Sequence, residues 1–430
     1  MSDQKPLPGS GPLAGVRVID LTQAWAGPMC TRTLAFLGAE VIKIESPTRI
    51  DVWRGAYRGG NQERFPDFDP GEKPYNRNSL FNTQNHDKLA LSLDLKAEGA
   101  KEILFDLVRI SDVVVANFAP AVLDRLGIGY EVLRKINPRI IVAEMPAFGL
   151  GGPMTAHVGM GKTMEAAAGM VSLIGYGDEV PVTTGPAYLD PIGGLHGAAA
   201  IVTALYSRSQ RNEGAWVDVA QTEAAALWIG EYLLQELYEH TAPEPRGNKV
   251  VDAAPHDAYP CEGTDEWVAI AVRTDVEWRN LCEVINRTDL IEDPRFASFA
   301  ARSENQDELY PIISAWTENK NKHDAAAELQ AHGVPAAPVN NGGDVANDPG
   351  LHAAHFFTEL DHPEAGRHEY PGLGYRLSRT PGSMRQPSPV FGQHNQYVLT
   401  EILHLDQERI DELARVGAIA SDPHEGHDIN

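Results

Sequence analysis

The first half of the chain alternates short, continuous β-branched runs with stretches of helical character. Residues 16–21 (VRVIDL), 40–45 (EVIKIE), 89–95, 112–116 and 139–144 read as strands; 29–37, 97–110 and 122–126 read as helices between them. Strands separated by helices of about 10–15 residues predict right-handed βαβ units and a mainly parallel sheet. Such strands are covered on both faces, so they appear as unbroken Val/Ile runs and not as alternating ones. Residues 48–82, rich in Arg, Gly, Pro and Asn, predict a loop.

Further on, 195–208 (LHGAAAIVTALYSR) and 217–238 predict long, Ala-rich helices whose small side chains suit a buried spine or a subunit contact. Residues 241–254, with Pro243, Pro245 and Gly247, predict a linker. A second unit follows, with a strand at 267–272 and helices at 277–281, 307–317 and 322–332. The pattern weakens from 342 to 392 under clustered Gly, Pro and His. Helical pieces return at 396–403 and 407–416, and a frayed polar tail is expected over 421–430.

Composition narrows the function. The 430 residues are 43% hydrophobic and 22% charged, ordinary values for a folded chain, with a formal net charge of −24. That acidity argues against nucleic acid or an anionic lipid surface as partner. An anionic ligand would need a local basic pocket. Apolar runs such as 113–116 and 140–143 are too short to span a bilayer, and the N-terminal MSDQKP has no apolar signal region. Cys30, Cys261 and Cys282 form no CxxC, which excludes a cysteine zinc cluster and a disulfide framework and fits a reducing cytoplasm. A cytoplasmic location is expected.

Several motifs fail on inspection. Gly159-Met160-Gly161-Lys162-Thr163 invites a phosphate-loop reading, but the required first glycine is Ala156 and no buried strand precedes it. A turn leading into a helix at 163–170 is the reading kept. His352, His355, His362 and His368 lack carboxylate or Cys partners at metal-site spacing, so no metal is expected. No GxSxG elbow is present. Gln23-Ala24-Trp25-Ala26-Gly27-Pro28 stands where a GxGxxG would follow the first strand, which argues against an NAD enzyme.

The segment 186–196 (PAYLDPIGGLH) is more informative. Asp190 followed by Pro191 reads as a helix N-cap with proline at the first helical position. A carboxylate there also sees the positive end of the helix, and the following glycines admit close approach of a substrate. Such a carboxylate could act as a nucleophile on an activated acyl group or as an acid/base.

From about residue 12 to 416 the chain resembles the class III CoA-transferase family, which includes formyl-CoA:oxalate and carnitine CoA-transferases and the related α-methylacyl-CoA racemases. The resemblance is carried by 12–21 (PLAGVRVIDL), 26–28 (AGP), 37–45 (LGAEVIKIE), 88–95 (KLALSLDL), 111–118 (SDVVVANF) and 126–130 (LGIGY). It continues in 137–141 (NPRII), Phe148-Gly149, Gly152-Pro153 and 246–248 (RGN). What it implies is an α/β fold with a Rossmann-like large domain, a smaller α/β domain and an interlocked homodimer. The corresponding boundaries are 1–225 for the large domain, 226–255 for the linker, 256–360 for the small domain, and 361–430 for a C-terminal segment returning to the large one. Asp190 falls at the family's nucleophile, which forms an aspartyl mixed anhydride and then an aspartyl-CoA thioester. No permanently bound cofactor is implied; an acyl-CoA and a carboxylic acid are the substrates.

The resemblance also places Arg54, Asn117, Phe118, Arg125 and Phe148 at the CoA site, the two arginines meeting phosphates. This chain departs from the pattern at Ala119 and Ala121, where Arg and Gly are usual. It departs again at Trp25, where formyl-CoA transferases carry glutamine, and after Asn248, where their glycine-rich loop is not visible. These changes point away from oxalate and formate and toward a larger or apolar acid. A racemase-like isomerase is the alternative; its histidine, thirty residues before the aspartate, would fall at Met160, which cannot exchange a proton. His157 lies three residues away, within reach only of a shifted loop. A CoA-binding protein without catalysis would leave Asp190 as a cap alone.

Overall fold

β1 (Arg17–Asp20), α1 (Ala26–Phe36) and β2 (Glu40–Glu45) open the chain in a computed structural model that describes residues 11–55, 61–177, 180–241 and 244–424. Short turns and the helices α2 (Pro74–Arg77) and α3 (Ser79–Gln84) lead to β3 (Lys88–Ser92). Then follow α4 (Ala100–Arg109), β4 (Val113–Ala116), α5 (Val122–Leu126), α6 (Tyr130–Ile136) and β5 (Ile141–Glu144). After α7 (Gly161–Ala167) comes the long α8 (Leu189–Arg211), then β6 (Ala215–Asp218), α9 (Gln221–Ala226) and α10 (Gly230–Glu239).

The six strands form one parallel sheet in the order β3-β2-β1-β4-β5-β6. The order reverses between β1 and β4, where the loops after the two strands diverge and leave a crevice at their carboxyl ends. Successive residues of a strand face opposite sides of a sheet. Ile19, Ile42, Val114 and Val142 accordingly pack on one face with α4, α5 and α6. Val18, Val41, Val113, Val115 and Ile141 pack on the other, against Cys30 and Leu34 of α1 and Ala198 and Ile201 of α8. Small residues let α8 press against α1: a Cβ at Gly194 would stand 2.7 Å from the Ala26 carbonyl oxygen.

The chain divides into two compact units. One holds the described parts of 1–171, 183–241 and 354–430; the other holds the described parts of 172–182 and 242–353. The second unit has the antiparallel sheet β7 (His256–Pro260), β8 (Trp267–Ala271) and β9 (Ala336–Pro338). Its own core gathers Trp278, Phe296, Leu309 and Leu329.

Three expectations change. Residues 217–238 are not one helix, because β6 occupies the start of that stretch and extends the sheet from β5, and α9 and α10 follow it. Residues 226–239, expected within a linker, are largely helical and belong to the first unit. The expected loop 48–82 contains α2 and α3. Part of the expected tail, 425–430, lies outside the described residues.

Candidate active site

The crevice at the strand-order reversal is a cavity of about 670 Å³ lined by residues 23–25, 52–53, 117–120 and 157–164 with Ala147, Ala187, Asp190 and Gln221. β1 and β4 deliver its first two walls. Asn117 follows β4 directly, and its amide grips the loop after β1: Oδ1 accepts the Gln23 N–H and Nδ2 donates to the Gln23 carbonyl, both at 2.8 Å. Phe118 lines the cavity and packs from behind on the core of the sheet.

Asp190 sits in the first turn of α8 and is not its cap. The cap position is Tyr188, which makes no side-chain capping bond. The backbone N–H of Ala26, the first residue of α1, instead lies where it favours the ionised Asp190 carboxylate, which so faces the positive end of that helix. Burial pushes the Asp190 carboxyl up to about 6, the neighbouring Glu165 carboxylate adds to the rise, and the Ala26 N–H opposes both. Gly161 makes room for it, since a Cβ there would lie 2.5 Å from Asp190 Oδ2.

Glu165 and Gln221 escaped the sequence reading. Glu165 is fully buried on α7; its Oε1 accepts from Thr184 Oγ1 (2.6 Å) and the Tyr188 N–H (2.8 Å), while Oε2 has no hydrogen-bond partner. Gln221 Nε2 donates to the Met145 carbonyl at 2.8 Å, and its Oε1 is likewise unpartnered. The signal in the sequence for Glu165 was an acid followed by small residues on α7; Gln221 had none.

The remaining expected residues scatter. Arg54 is wholly buried. Its guanidinium is bidentate on Glu45 (2.8 and 2.8 Å), donates to the Tyr75 and Pro389 carbonyls and Asn76, and lies over the Phe81 ring. Every donor is used inside the protein, so a phosphate contact by Arg54 does not fit this geometry. Arg125, on α5, lines a separate surface cleft with Lys96, Lys101, Glu98 and Glu102. Phe148 stands behind the cavity wall, edge-on to His157 at a centroid separation of 6.2 Å. His157 does line the cavity. Among the described residues no cluster of His, Cys, Asp or Glu could hold a metal ion, and no helix is long and apolar enough to cross a membrane.

The model of CoA-transferase family III matches residues 13–395. A formyl-CoA:oxalate CoA-transferase of Afipia carboxidovorans is 32% identical over 96% of this chain and 98% of its own length. One from Streptomyces coelicolor is 33% identical over 95% and 99%. Among solved structures, a CaiB/BaiF family protein from Brucella suis superposes with a TM-score of 0.82 at 28% identity, covering 91% of this chain and all of that one. The chain belongs to CoA-transferase family III. It is an enzyme of CoA transfer, with a CoA thioester as substrate.

Proposed function

We propose that Asp190 is the nucleophile of a CoA transfer from an acyl-CoA to a carboxylic acid. The observation that carries this is the carboxylate itself, desolvated in the cavity wall, facing the start of α1 and free of any capping duty. An Asp190 oxygen attacks the thioester carbonyl, the C–S bond breaks, and CoA leaves as the thiolate with a mixed anhydride behind it. The thiolate then attacks the aspartyl carbonyl and displaces the donor acid, giving an aspartyl-CoA thioester. The acceptor carboxylate repeats the two steps in reverse order, and Asp190 is regenerated. Each intermediate keeps the activation of the original thioester, which is what a carboxylate nucleophile contributes.

Asn117 and Phe118 belong to the wall that receives CoA in this reading. Arg125 would reach its phosphates only from the adjoining cleft. The protein works as a homodimer in the cytoplasm: Leu227, Trp228, Leu237 and Tyr238 on the 227–239 stretch are 63–81% exposed, a density of apolar surface that favours a second subunit. The proposed functional division follows the two compact units in place of the boundaries at 225, 255 and 360, with the returning segment from 354 completing the large domain.

The test is exchange of label between an acyl-CoA and a free acid. Asp190→Asn should abolish it while the fold survives; exchange at the wild-type rate would refute the assignment. One observation favours a second reading. His157 shares the cavity with Asp190, and two groups facing an α-carbon would suit a racemase. Turnover in deuterium oxide separates them, because a racemase labels the α-carbon and a transferase leaves it unlabelled.

A further inference from the structure

We infer that Trp25 and Trp53 form a fixed aromatic wall beside Asp190 that selects an apolar, aryl-sized acyl or acid group over a small dicarboxylate. The inference rests on the reading of Asp190 as nucleophile and names the substrate class for it. Both indoles line the cavity, with ring centroids 5.3 Å apart and planes at 42°. Trp25 immediately precedes Ala26, whose N–H favours the ionised Asp190 carboxylate. The wall is therefore anchored one residue from the backbone group that faces the nucleophile.

It is also locked from behind. Asp51 Oδ1 accepts the N–H groups of Ala24 and Trp53, each at 2.9 Å, and so ties together the two segments that carry the indoles. Asp51 Oδ2 accepts from Lys43 Nζ at 3.0 Å, and both of these side chains are fully buried. A wall ordered before substrate arrives loses little freedom on binding. Val52 and Met164 extend the apolar lining.

An aryl ring gains from stacking or edge contacts with such faces. A second carboxylate gains less: it would lose water against the ring faces and could accept only from an indole N–H, such as the unpartnered Trp25 Nε1. Among the described lining residues the single Lys or Arg is Lys162, on the 157–164 stretch and not on the tryptophan corner. The acid expected here thus differs from the oxalate in the names of the relatives.

The test uses the full chain, offering phenylacetate, benzoate, oxalate and succinate as acceptors against acetyl-CoA, and reading new CoA esters by mass spectrometry. Phenylacetate or benzoate should exceed oxalate in kcat/KM by at least about tenfold. Trp25→Gln should reduce that preference by about tenfold to a hundredfold, and Trp25→Phe should retain it. Trp53→Ala serves as a second variant should Trp25→Gln fail to fold. Titration of indole fluorescence, which needs no turnover, should show phenylacetyl-CoA binding at least about tenfold tighter than acetyl-CoA. Equal efficiency with oxalate, or equal binding of the two esters, overturns the wall and leaves CoA transfer standing. Tight phenylacetyl-CoA binding with transfer to no acid refutes the nucleophile reading and leaves the wall standing.

Discussion

Glu165 and Asp190 are neighbouring carboxylates from α7 and α8; burial raises the Asp190 carboxyl to about 6, and the Glu165 charge adds to the rise. The nucleophile must be ionised to attack. kcat/KM for the acyl-CoA should therefore climb with pH through about 6 and level off above it. Glu165→Gln removes the like charge, so the midpoint should move to lower pH. A midpoint that stays put, or rises, would separate the two groups.

The same shift bears on stability, with a definite sign. The native state holds the Asp190 proton more tightly than the unfolded chain between 3.8 and about 6. Wild type then loses stability as pH rises through that window, by at most about 3 kcal/mol from two pKa units. Asp190→Asn escapes the loss. Its Tm should exceed that of wild type at pH 7 and approach it near pH 4; a variant less stable at pH 7 would show that the carboxylate stabilises the fold.

Arg54 and Glu45 make a buried pair, and removing one partner strands the other charge. Arg54→Ala should cost about 3–5 kcal/mol in urea unfolding, and replacing both residues by methionine should recover most of it. A loss confined to CoA affinity, with unchanged unfolding, would restore the phosphate-binding role.

Gly161 is the gap into which the Asp190 carboxylate fits. Gly161→Ala should lower the unfolding midpoint, since its Cβ would stand 2.1 Å from the Ala187 Cβ, and lower kcat about a hundredfold, since a displacement of order 1 Å at the reacting group is enough. Normal kcat in the alanine variant would mean that Asp190 works from another rotamer.

Asn117→Ala removes both bonds to the Gln23 backbone. It should weaken CoA binding in calorimetry and cost about 1–3 kcal/mol of stability. Unchanged values for both would show that the loop after β1 is held by Asp51 alone.

The sheet was legible because its strands are buried on both faces, which leaves unbroken runs such as VVVA at 113–116. β6 was not: at the sheet edge its residues alternate half-buried and exposed, and the small-residue run after it mimics a continuous helix. Asp190 stood out through the proline and glycines beside it, yet its neighbours suggested a cap because the partner that holds it, Ala26, is 164 positions away. Arg54 was placed at the phosphates by the family resemblance alone. Its pairing with Glu45 depends on how a loop folds back on β2, and nothing local announces that. The Trp25–Trp53 contact and the buried Glu165 are likewise products of the tertiary fold.

Covalent trapping at Asp190 tests the central claim most directly. The protein would be mixed with acyl-CoA, quenched with hydroxylamine, digested and read by peptide mass spectrometry. A hydroxamate on Asp190 alone, absent without acyl-CoA, is the predicted result. Modification of another carboxylate, or none during demonstrable turnover, would contradict it.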